Sequence, residues 1–266
     1  MSENDLTGML DEWEFDRKRS IRIIAATDGR SLMQVRLPLG IEQYEMEGRP
    51  DRRRPYGYET VLASVEDGLK RHVVDTGSDQ GFEINTDTAE ELHEEGILFY
   101  NRYLLLFQIR YFDMVVRDTE HNIHLCDLLE RYCPDEDSRN AVLQFRPYIL
   151  RMNAAARALA IHEGLRDGDP EEVIETTIST IEDLEEIPSP AFQLERVRSV
   201  SYLRSLLRNL DEDDDSAGSG ASDDPQAELR TELQKAIEHE DYERAARLRD
   251  QLRDSGPGEG RVDKEP

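Results

Sequence analysis

From Asp87 to about residue 210 the chain carries helical periodicity with only short interruptions. That run constrains the fold more than any other feature. Apolar residues return every three or four positions, so each stretch presents one apolar stripe that must be buried against another. The spacing predicts helices over 87–109, 112–132, 137–166, 170–186 and 190–210. Arg110-Tyr-Phe-Asp113, Pro134-Asp-Glu-Asp137, Gly164 to Pro170 and Pro188-Ser-Pro190 mark the breaks. Pro147 falls inside the third stretch and should kink or divide it, because proline lacks the N–H that a helix interior needs. Thr86 or Asp87 is placed to cap the first helix, with Glu90 positioned for a capping box. Helices joined by such short breaks pack as antiparallel neighbours.

Within this half, Val115, Val116, Thr119 and Ile123 lie 58 positions before Val173, Ile174, Thr177 and Ile181. The pattern looks like helix–turn–helix units of tetratricopeptide repeats, whose period is about 34 residues. An offset of 58 does not fit a regular array. The fold class is therefore mainly α: a helical bundle with repeat-like hairpins.

Ahead of the helices the pattern changes. Ser20-Ile-Arg-Ile-Ile-Ala-Ala26 and the run Leu32, Met33, Val35, Leu37, Leu39, Ile41 flank Thr27-Asp28-Gly29-Arg30. Asp-Gly between two apolar runs signals a β-hairpin, since both residues tolerate positive φ. A small β element of two or three strands is expected, continuing through Tyr44 and Met46. A Pro/Gly/Arg loop follows over 48–57, then a short helix near 58–72, then irregular chain with a short strand at Gly81-Phe-Glu-Ile84. The extreme N-terminus is acidic, with Leu6, Met9, Leu10 and Trp13 at helical spacing. The segments read as 1–19 acidic, 20–72 β-containing, 73–210 helical bundle, 211–225 acidic Gly/Ser linker, 226–254 helical hairpin and 255–266 disordered tail.

The hairpin carries the most specific pattern. Leu229, Leu233, Ala236 and Ile237 form one stripe, and Asp241 caps a second helix bearing Tyr242, Ala245, Ala246, Leu248 and Leu252. The alanine pair lets two helix backbones approach, and the leucines close the seam. These residues, with the Glu240-Asp241-Tyr242-Glu243 turn and Ala245-Ala246-Arg247-Leu248-Arg249-Asp250, resemble the UVR motif of UvrB and UvrC. That motif also recurs in an activator of protein arginine kinase and in some Clp ATPases. The resemblance implies a protein partner, including one with a UVR motif of its own or a second copy of this chain. Independently, a hairpin this small buries too little surface to be robust alone, and a partner face would complete its core. The rest of those proteins is missing here. There is no G-x-x-x-x-G-K-[ST] phosphate loop, no recognisable nuclease signature and no CxxC zinc pair. Leu37-Pro-Leu-Gly-Ile41, Glu47-Gly-Arg-Pro-Asp51 and Gln144-Phe-Arg-Pro-Tyr148 further resemble segments of bacterial proteins that end in a UVR motif.

Charge limits the other functions. A net charge of −26 opposes direct strong binding to nucleic acid, which draws on Lys and Arg neutralising phosphates. It opposes anionic membranes as well. The exception is local: residues 15–60 hold ten Lys or Arg against seven Asp or Glu. Arg49, Arg52, Arg53 and Arg54 are the candidate anion-binding residues. The alternative to an adaptor is therefore an accessory factor of nucleotide excision repair that contacts UvrB or UvrC and touches DNA with this loop.

No catalytic constellation and no cofactor site emerge. Glu90-x-x-His93, Asp118, His121 and His124 have spacings found in metal-binding bundles. The density of acid in Glu90-Glu-Leu-His-Glu-Glu95 is read instead as a solvated face, so no metal is expected. Phe99, Tyr100, Tyr103, Phe107, Tyr111 and Phe112 read as core. Cys126 and Cys133 read as buried free thiols, since two helical turns, about 10 Å, separate them. With neither a signal peptide nor an apolar membrane span, a cytoplasmic location is expected.

Overall fold

The computed structural model describes residues 6–218, with side chains as far as 212. The chain divides into two units, Met1–Leu210 and Asp211–Pro266. A short helix α1 (Thr7–Glu12) precedes strands β1 (Ile21–Ala25), β2 (Ser31–Leu37) and β3 (Gly40–Glu45). A single 3-10 turn at Pro55–Gly57 leads into α2 (Val61–Thr76), α3 (Thr86–Gln108), α4 (Phe112–Tyr132), α5 (Glu136–Leu143), α6 (Arg146–His162), α7 (Pro170–Glu182) and α8 (Pro190–Gly218). The fold is mainly helical with one small antiparallel sheet, ordered β1-β2-β3.

The Asp28-Gly29 turn forms where expected. Gly29 takes φ +86°, and its N–H donates to Ala26 O at 2.9 Å. The second apolar run is broken rather than continuous. Pro38 and Leu39 fall between β2 and β3, and Leu39 is 93% exposed, because proline cannot donate to a strand ladder. The register sets Ile23 opposite Met33 and Met33 opposite Tyr44. That face packs on Tyr103, Leu106, Phe112, Val115 and Met152 from the helices. The other face is a polar ladder. Arg22 donates to Gln34 Oε1 at 2.7 Å, and Gln34 donates to Gln43 Oε1 at 2.8 Å. Trp13 joins it: the Arg22 guanidinium sits 4.0 Å from its ring centroid, and Arg36 Nε donates to its carbonyl at 2.7 Å. With both faces engaged, β2 is buried from Leu32 through Arg36.

The long third stretch is divided at Pro147, which occupies the first turn of α6, where its missing N–H costs nothing. Packing runs from α3 to α4, α4 to α6 and α6 to α7. Ala154, Ala155, Ala156, Ala158 and Ala160 are all buried on α6. Their small side chains let it sit between two cores. Ala156 and Ala160 belong to the core beneath the sheet, while Ala154 and Ala158 meet Ile174, Ile178 and Ile181 of α7 and Leu203 of α8. The 58-residue correspondence has one local echo. Thr119 Oγ1 donates to Val115 O and Thr177 Oγ1 to Val173 O, at 2.7 and 2.8 Å.

Several expectations are corrected. The first long helix is capped by Asn85, whose Oδ1 accepts from Thr88 N at 2.8 Å, so neither Thr86 nor Asp87 serves. The helix expected near 58–72 begins at Val61, capped by Thr60, and ends at Thr76, with Gly77 in the left-handed region closing it. No strand forms at 81–84; instead Ile84 N–H donates to Tyr132 O at 2.8 Å and its side chain enters the core. Tyr100 and Tyr111 are not core but 37% and 44% exposed. Helix α8 runs to Gly218, eight residues into the segment read as linker. Extending an existing helix costs far less than starting one. The two cysteines are free and buried, and burial pushes the Cys126 thiol up to about 12. Among the described residues, no helix is long and apolar enough to cross a membrane.

Candidate functional site

Three buried charges organise the junction of sheet, arginine loop and helices. Arg102, in the C-terminal half of α3, is fully buried, as is Asp118 on α4. Arg102 Nε and Nη2 donate to the two Asp118 oxygens at 2.6 and 2.7 Å. Its Nη1 donates to the Glu45 and Gly48 carbonyls at 2.8 and 2.9 Å. One guanidinium therefore ties β3 and the start of the loop to both helices. A planar fork with five donors suits this task, and a lysine would not satisfy it. Arg117 adds a clamp outside, donating to Met46 O and Glu47.

Glu95, also fully buried, is the second anchor. It accepts from the Val61 and Leu62 N–H groups at 2.7 and 3.0 Å, so a side chain on α3 caps the N-terminus of α2. It also accepts from Arg49 Nη1 at 2.6 Å. His121 Nε2 lies 3.3 Å away, without hydrogen-bond alignment, and its ring stacks on Phe99 with centroids 3.7 Å apart. Burial by itself raises the Glu95 pKa. The His121 ring and the Leu62 and Val61 N–H groups outweigh it and hold the carboxyl below the usual 4.5. A carboxylate saturated in this way neither donates nor takes up a proton near neutral pH.

These facts correct the solvated-face reading for Glu95. Glu90 is exposed as read, but Glu95 and Asp118 are core, Glu95 committed to Arg49 and Asp118 to Arg102 and, at its edge, Arg117. His124 pairs with Glu66 at 3.0 Å and His121 with Glu95, so the spaced residues do not converge. Among the described residues, no three His, Cys, Asp or Glu side chains are grouped to hold a metal ion.

The arginine loop has an inner and an outer part. Arg49 is only 10% exposed and bound to Glu95 and Asp51. Arg52, Arg53 and Arg54 are exposed. All four, with Arg30, border a shallow depression of about 360 Å³ that Glu45, Glu47 and Glu59 also line. Arg30 is bound to Glu45 and Asp28, and Arg54 lies 3.4 Å from Glu59. Arg53, 82% exposed, lies 3.8 Å from Asp51; the positive charge of the depression is thus largely matched by carboxylates, with Arg52 and Arg53 the cations turned to solvent.

The other candidate residues, Leu229, Leu233, Ala236, Ile237, Tyr242, Ala245, Ala246, Leu248 and Leu252, lie outside the described residues, as do the segments read as hairpin and tail. Comparison of sequences speaks to them directly. Residues 223–254 match the family model of the UvrB/uvrC motif, so the C-terminal segment carries that motif. No curated protein and no solved structure matches the chain.

Proposed function

We propose that the protein is an adaptor: it docks a protein partner through residues 223–254 and presents the helical unit as its fixed body. The observation that carries this reading is the UvrB/uvrC motif match. Leu229, Leu233, Ala236 and Ile237 would form one half of the contact, and Tyr242, Ala245, Ala246, Leu248 and Leu252 the other. The partner is another protein, a class that includes one with a motif of this kind and a second copy of the chain, and docking takes place in the cytoplasm.

The role is docking rather than catalysis. Support comes from the conspicuous titratable groups of the helical unit. Glu95 and Asp118 spend their acceptor capacity on the N-terminus of α2 and on Arg102, which is architectural work. A second reading, accessory to nucleotide excision repair with DNA at Arg52 and Arg53, is favoured only by the exposure of those arginines. It predicts salt-sensitive DNA binding that Arg52→Ala/Arg53→Ala abolishes.

The test is an affinity pull-down with the intact protein and a Leu233→Asp/Leu248→Asp variant, each checked for unchanged helicity. Partners retained by the wild type and lost from the variant support docking through the motif. Identical sets of partners for the two proteins would sink the proposal.

A further inference from the structure

A half-open cavity of about 570 Å³ lies among α3, α4, α5, α6 and α8. Native interiors leave few voids larger than a water molecule, and an apolar cavity of about 150 Å³ is already enough to take up benzene. This space is therefore more than a packing gap. Its volume falls in the range that small ligands occupy, about 300–1,000 Å³.

The wall selects what can fill it. Ile97, Leu125, Val142, Phe145 and Ile149 supply apolar surface. Tyr100 stands edge-on to Tyr103 and Tyr148, with ring centroids 5.5 and 5.8 Å apart. The polar groups of the wall are mostly spent or sealed. Gln144 Nε2 donates to Ala141 O at 3.0 Å, and its Oε1 accepts from Ser189 Oγ at 2.7 Å. Asn122 Nδ2 donates to Gly96 O at 3.0 Å. Asn122 Oδ1, Tyr103 OH and Glu195 Oε2 have almost no accessible surface, so a ligand does not reach them. Glu195 lies 3.8 Å from both Arg151 and Arg198, which answer its charge within the protein. His93, half-buried, is left to offer a hydrogen bond. A charged ligand would lose water here without gaining a committed counter-ion, which is costly.

Two features keep the space open. Gly96 lies inside α3, where glycine weakens a helix relative to alanine. An added Cβ would meet only Asn122 Oδ1 and Leu125 Cδ1, each at an ordinary 3.7 Å. Helix packing thus does not require glycine at this position, and what its missing side chain leaves free is cavity. Ile97, Phe145 and Tyr100 are 46%, 42% and 37% exposed although all three border the cavity. The apolar wall therefore runs out to solvent and gives a ligand its way in.

We propose that this cavity binds an uncharged apolar molecule bearing an aromatic ring. The ring lies among the tyrosines, where ring–ring contact adds to plain burial, and an aliphatic portion lies against Leu125, Val142 and Ile149. The site goes beyond the docking reading and does not rest on it.

The test is calorimetric titration of the full chain with benzene, toluene, ethylbenzene and propylbenzene. Each should bind saturably, one per chain, and each added carbon should tighten binding about fourfold, as burial of one CH₂ provides. 3-Phenylpropylamine and 4-phenylbutanoate carry the propylbenzene body with a charge of either sign, and both should bind more weakly than propylbenzene. Gly96→Met places an unbranched side chain that fills irregular space. It should weaken propylbenzene at least tenfold while the melting temperature holds or rises, which a folding defect would not do. Ile97→Glu, at a half-exposed position, should weaken it several-fold and keeps the test open if Gly96→Met fails to fold. Uptake that never saturates, affinity that does not grow along the series, a charged analogue as tight as propylbenzene, or wild-type affinity in both variants would each overturn the proposal. Self-association that Ile97→Glu abolishes, in a protein that takes up no alkylbenzene, would overturn it too, by assigning the mouth to a second copy of the chain.

Discussion

Replacing Asp118 with Asn should destabilise the helical unit by about 3–5 kcal/mol, the cost of breaking a buried ion pair from one side. The magnitude follows from the site. Arg102 and Asp118 are both 0% exposed, so water cannot screen the charge left behind. Asparagine keeps the shape but turns an amino group toward one of the two guanidinium donors, now 2.6 and 2.7 Å from carboxylate oxygens. One charge-assisted bond, about 1.5–3 kcal/mol, becomes a contact between donors, and the Arg102 charge loses its counterion. Urea unfolding followed by circular dichroism would measure the loss. The melting temperature should fall by about 6–20 °C, at about 2–4 °C per kcal/mol for a unit of this size. An Arg102→Met/Asp118→Leu variant removes both charges and should recover much of the loss. Recovery stays incomplete because the Glu45 and Gly48 carbonyls lose the Nη1 donor and Arg117 loses its contact with Asp118. A loss below about 1 kcal/mol for Asp118→Asn, or a double variant no better than the single, would refute the account of this pair as a buried, fully committed one.

Two further outcomes follow from the same region. Because the Glu95 pKa is held below 4.5, its stabilisation is complete above that value and is lost as the pH falls through the lower folded value; Glu95→Gln should be less stable than wild type at neutral pH, with the gap closing in acid unfolding below pH 4.5. Gly96→Ala should raise stability by about 0.5–1 kcal/mol in thermal melts, since an added Cβ would meet only Asn122 Oδ1 and Leu125 Cδ1, each at an ordinary 3.7 Å.

Local chemistry made the hairpin at Asp28-Gly29, the helix breaks and the division at Pro147 legible in the sequence, because each depends on residues within a turn of one another. The C-terminal motif was legible for the same reason. Glu95 was not, since its role is to cap a helix that starts 34 residues earlier. A signal was nonetheless available. Leu92, Glu95, Phe99, Arg102 and Leu106 share one helical stripe, and all are buried. Charges on an otherwise apolar stripe are rarely solvated, and this position mattered more than the acidic company Glu95 keeps. The cavity could not be read at all. Tyr100 and Tyr103 look alike in sequence, and only the placement of α5, α6 and α8 makes one a rim and the other a wall.

The alanines of α6 have a mechanical consequence. Tyr148 and Ile149, at the start of that helix, line the cavity, while Ala154 and Ala158 farther along bear on α7 and α8. Alanine has no rotamers with which to absorb a displacement, and a close-packed interior transmits strain. A push on the start of α6 therefore reaches α7 and α8 as backbone motion at the alanine contacts, while Leu150 and Leu159 beside them are the side chains that can yield. The helix acts as a stiff lever between the two cores it divides.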